Sequence, residues 1–78
     1  MIEVLVLKWA TLNERRCAPG ERQWTLPSDH IAKMRDLGQI EVNPRSIPAH
    51  LVQNAAFQQF FMNEIIAKVR DTSHEEDP

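Results

Sequence analysis

Seventy-eight residues suffice for one domain, and near this size folding buries only about 60–65% of the surface that the unfolded chain exposes. Nine Lys/Arg against eleven Asp/Glu leave a net charge of −2, without the strongly basic balance of a general nucleic-acid binder, and a 42% hydrophobic content exceeds that of a disordered chain. A two-domain enzyme is therefore excluded, and the single cysteine, Cys17, excludes an internal disulfide and fits a reducing compartment.

The chain opens on Ile2-Glu3-Val4-Leu5-Val6-Leu7, whose apolar run is too short for a signal-peptide core or a membrane span, so a soluble, intracellular protein is expected. Residues 2–9 read as a strand that is apolar on both faces and hence central. The polar stretch Thr11 to Gly20 reads as a loop. It ends in Ala18-Pro19-Gly20-Glu21, where Pro sets φ at the second turn position and Gly supplies positive φ at the third, as in a type II turn. Gln23–Leu26 forms a second strand with Trp24 and Leu26 on one face. Pro27-Ser28-Asp29 starts a helix: Ser28 can cap it, and Ile31, Met34 and Leu37 follow with helical spacing before Gly38 stops it. Ile40-Glu41-Val42 adds a short strand. The fold expected for residues 1–43 is thus a β-β-α-β unit, a small antiparallel sheet that could curl into an SH3-like half barrel.

Composition shifts at Asn43-Pro44-Arg45-Ser46: residues 1–46 carry seven basic against six acidic groups, and residues 47–78 two against five. A long amphipathic helix is expected over residues 46–71, with Ser46 as cap and Pro48 in the first turn. It is followed by a disordered acidic tail, residues 72–78. The overall class is α+β in one domain. On a wheel phased on Leu51, residues Leu51, Ala55, Met62, Ile65, Ile66 and Val69 fall within about 40° below to 60° above zero and form the expected core stripe. Phe57 and Phe60 fall near 240° and 180°, among polar residues, with Phe61 bridging the two regions at about 280°. Exposed aromatic rings on a helix that outlasts its neighbour mark an interface. Phe57, Phe60 and Phe61 are the expected partner contact, with Glu64 and Lys68 as an i, i+4 pair at the rim.

No motif in the chain carries chemistry. His30, His50 and His74 are too far apart for a metal spacing, and Cys17 has no neighbouring base to activate it. Two glycines, both with turn or cap duties, provide no phosphate cradle. No catalytic, cofactor or metal residues are expected, and the chain reads as a non-enzymatic protein. Arg15, Arg16 and Arg22 flank the first turn, and Trp9 and Trp24 read either as core anchors or as stacking faces for nucleic acid. The small basic cluster and acidic remainder disfavour nucleic acid as the main partner.

The run Cys17-Ala18-Pro19-Gly20-Glu21, with Leu26-Pro27, Ile31, Leu37-Gly38 and Ile40, resembles small bacteriophage accessory proteins and the N-terminal domain of Mu-like prophage FluMu proteins over residues 2–42. The resemblance implies turn duties for Pro19 and Gly20, core positions for Leu26, Ile31 and Leu37, and a phage setting, in the host cytoplasm or the virion. It implies no catalytic or binding residue. The function expected is a phage-encoded structural or assembly accessory that acts through its C-terminal helix, with a second copy or another protein as partner and no membrane. A phage-encoded inhibitor of a host defence complex or polymerase is the alternative, and a small nucleic-acid-binding regulator the second.

Overall fold

A computed structural model describes residues 1–76, with side chains described through Asp71. β1 (Ile2–Val6) is the central strand, as its two-sided apolar run predicts. It pairs antiparallel with β4 (Arg22–Thr25) on one side and with β5 (Ile40–Val42) on the other. Register places Ile2 opposite Thr25, Val4 opposite Val42 and Val6 opposite Ile40, so this set forms the inner face and is buried. Glu3, Leu5, Arg22, Trp24 and Glu41 alternate onto the outer face.

The stretch read as a loop contains a second sheet, the hairpin of β2 (Ala10–Leu12) and β3 (Arg15–Cys17). Its two-residue turn places both Asn13 (φ 53°) and Glu14 (φ 64°) in the left-handed region, the type I′ pattern whose twist suits a hairpin. Leu12 and Cys17 drop into the core, while Thr11, Arg15 and Arg16 face solvent. The two sheets stay separate, so the structure is α+β without a closed barrel among the described residues.

The Pro19-Gly20 turn forms as expected: the Glu21 amide donates to the Ala18 carbonyl at 3.2 Å, and Gly20 has φ 92°. α1 (Asp29–Asp36) starts at Ser28, whose hydroxyl accepts from the Ile31 amide at 3.3 Å, and Gly38 follows its end at φ 75°. Ile31, Ala32 and Met34 are buried against the sheet, but Leu37 is 62% exposed and Leu26 is 69% exposed. Neither leucine fills the core, contrary to the expectation. β4 presents Thr25 inward, so its neighbours Trp24 and Leu26 point out.

The long C-terminal helix is divided. Pro44–Ser46 is a 3-10 turn, α2 covers only Ala49–Val52, and α3 runs from Ala55 to Glu76. Ser46 is not the cap of a long helix. Its hydroxyl accepts from the Glu3 amide at 2.8 Å and donates to the Asn43 carbonyl at 2.6 Å, which fastens the turn to β1. The cap of α3 is Asn54, whose side-chain oxygen accepts from the Phe57 amide at 2.9 Å. The α3 backbone continues past the end expected at Asp71, and residues 77 and 78 of the expected acidic tail lie outside the described residues.

Candidate partner-binding surface

Phe57, Phe61 and Ile65 recur every fourth residue on α3 and are buried, with the two rings stacked at 4.6 Å and 13° between planes. Each buried ring stabilises the fold by about 1.5–3 kcal/mol, and the stack adds about 0.5–1.5 kcal/mol. Phe57 and Phe61 are therefore core residues in the folded chain and not an open contact surface. The wheel misplaced them because it was phased on Leu51, which belongs to α2. Phe61 itself also leaves helical dihedrals (φ −126°, ψ 27°), and the helix kinks there.

Glu64 and Lys68 of α3 follow the buried rings inward, whereas Arg70 stays exposed. Glu64 accepts from the Arg35 guanidinium at 2.5 Å, and the same guanidinium lies 5.3 Å over the Phe61 ring. Lys68 donates to the Ile47 carbonyl, and Asp71 pairs with Arg45 beyond it. Glu64 and Lys68 thus satisfy their charges on the rest of the domain, which is why they tolerate the inner face. Their expected rim position is corrected accordingly.

With those charges turned in, the outer face of α3 carries apolar residues that the wheel assigned to the core. Met62, Ile66 and Val69, spaced by four and three residues, are 45%, 40% and 49% exposed, and Phe60 is 41% exposed. Between Ala55 and Val69 every exposed side chain is uncharged. The Met62–Val69 stripe lies beyond the kink and is about 11 Å long at about 1.5 Å per residue. Phe60, the one expected contact that stays open, lies toward the α1 side and borders a groove with Pro27, Ser28 and Asn54. The missed signal was the 4-3 spacing of Met62, Ile66 and Val69, legible only once the phase of the helix is known.

The hairpin residues divide between two surfaces. Arg15 pairs with Glu21 at 3.2 Å, and the Arg16 guanidinium lies 5.2 Å over the Trp9 ring, whereas Arg22 and Trp24 share the outer face of the three-stranded sheet. Both tryptophans are more than half exposed, so neither anchors the core. Cys17 is fully buried, with its thiol 3.7 Å from the Arg15 carbonyl. Among the described residues, no group of three or more His, Cys, Asp and Glu side chains could hold a metal ion, and no helix is long and apolar enough to cross a membrane.

Comparison with protein-family models, curated proteins and solved structures finds no match.

Proposed function

We propose that the protein is a non-enzymatic interaction module that associates through the outer face of α3. The observation that carries this reading is the uncharged run of exposed residues from Ala55 to Val69, with Met62, Ile66 and Val69 in line while Glu64 and Lys68 turn inward. A solvated helix ordinarily shows charge on its outer face, and one that is apolar on both faces is built to be covered on both. The 4-3 spacing is that of a helix–helix seam, which a two-fold axis makes self-complementary, so a second copy is the simplest partner. A lipid surface fits less well: interfacial helices carry many exposed Lys and Arg, whereas Arg70 is the one exposed basic side chain among the described residues of α3.

The stripe from Met62 to Val69 is short, about one heptad, so the contact is weak and dynamic, as befits an accessory that joins and leaves an assembly. The phage particle or its morphogenesis, the setting expected from residues 2–42, is proposed as the place of that assembly. Light scattering over a concentration series tests the reading. Wild-type mass should rise above that of the monomer as concentration approaches about 0.5 mM, where a contact of roughly −4 kcal/mol becomes populated, and Ile66→Glu should abolish the rise. A monomer throughout the series would overturn self-association.

A further inference from the structure

A second surface is built independently of α3, around Trp9. The loop carrying Trp9 is pinned because the amides of Leu7 and Lys8 both donate to the Gln39 carbonyl, at 2.9 and 3.3 Å. Arg16 stands directly opposite Thr11 in the hairpin, which directs its guanidinium over the indole at 5.2 Å. His30 and Met34, one turn apart on α1, close the third side. Together these elements enclose an open cleft of about 350 Å³ lined by Trp9, Thr11, Arg16, His30, Met34 and Gln39, and no acidic residue is found among the described residues that line it.

The indole is 59% exposed although it could have contributed as much to a core as any side chain in the chain. Its companion is a planar cation whose fork matches phosphate oxygens and whose face also stacks on rings. Thr11, His30 and Gln39 add hydrogen-bonding groups around the platform, and buried Met34 gives an apolar floor.

We propose that this cleft binds a nucleotide unit, with an aromatic base stacked on the Trp9–Arg16 platform and a phosphate oxygen met by the Arg16 guanidinium. The same chemistry is offered by a free mononucleotide and by one unit of a single strand. Trp24→Phe leaves Trp9 as the sole tryptophan, so its fluorescence reports the cleft directly. Titration uses thymidine 5′-monophosphate and an oligothymidylate of about eight nucleotides, a length within the usual single-strand site size.

Saturable quenching is expected, weakened at least about 5-fold by Arg16→Ala, which removes the charge-assisted contact to the phosphate and the cation beside the indole. Binding of the oligonucleotide about tenfold or more tighter than the monophosphate, and weakening with salt, assigns the strand as ligand, whereas a smaller difference assigns the free nucleotide. The proposal is overturned if neither probe quenches at about 1 mM, a limit near −4 kcal/mol, or if Arg16→Ala leaves the affinity unchanged. It is equally overturned if Trp9→Phe, reporting through Trp24, shows the same quenching.

Discussion

The guanidinium of Arg35 is held between two residues of α3, 2.5 Å from the Glu64 carboxylate and 5.3 Å over the ring of Phe61. This contact accompanies the burial of Phe57, Phe61 and Ile65, which sets the rotation of the helix. That rotation turns the charged Glu64 inward and leaves Ile66, two residues on, facing water. Both partners are largely withdrawn from solvent, with side chains 19% and 11% exposed; removing Arg35 leaves the Glu64 carboxylate poorly solvated and without this bond, whereas removing Glu64 leaves the guanidinium its contact with the exposed Asp36 carboxylate at 2.9 Å.

Glu64→Ala should therefore cost about 1.5–3 kcal/mol of stability, the range for a hydrogen bond to a charged group. Urea unfolding of the two single variants Glu64→Ala and Arg35→Ala and of the double variant would measure the coupling. A double variant whose loss equals the sum of the two single losses would contradict the pairing.

The three phenylalanines should separate sharply. Phe57→Ala and Phe61→Ala remove stacked core rings and should each cost about 3–5 kcal/mol, enough to unfold a domain of modest stability. Phe60→Ala should stay within about 1 kcal/mol, as exposed positions do. Far-ultraviolet circular dichroism during heating distinguishes them, and a cooperative melt retained in Phe61→Ala near the wild-type temperature would refute its core placement.

Turn chemistry provides a stabilising test. Glu14 occupies a left-handed conformation (φ 64°) that costs an ordinary side chain about 1–2 kcal/mol. Glu14→Gly completes the favoured Asn-Gly pair and should raise stability by about 0.5–1 kcal/mol. Thermal unfolding should shift upward, and a downward shift would mean that the hairpin turn differs from type I′.

Much of the N-terminal unit was legible because local chemistry dictates it. The apolar run of β1, the Pro19-Gly20 turn, the Ser28 cap, the Gly38 stop and the Ile40–Val42 strand each rest on residues that fix the backbone by themselves. The β2–β3 hairpin was hidden because Arg15 and Arg16 break the expected alternation and its turn contains no glycine. The inner and outer faces of α3 were exchanged for a different reason. A wheel ranks apolar residues, but here both faces are apolar, and the choice between them is made by partners distant in sequence. Arg35 receives Glu64, the Ile47 carbonyl receives Lys68, and Asn54 restarts the helix so that Leu51 no longer sets its phase. The presence of a C-terminal helix was readable; which of its faces stays exposed was not.

The outer face of α3 is most directly tested by recording amide nuclear magnetic resonance spectra while the protein is diluted from about 1 mM to about 20 µM, a span that brackets a weak contact of roughly −4 to −6 kcal/mol. Concentration-dependent shifts should centre on residues 59, 62, 63, 66, 69 and 70 and vanish in Ile66→Glu. Spectra that do not change with concentration, or shifts confined to the outer face of the three-stranded sheet around Trp24, would contradict α3 as the surface through which this chain associates.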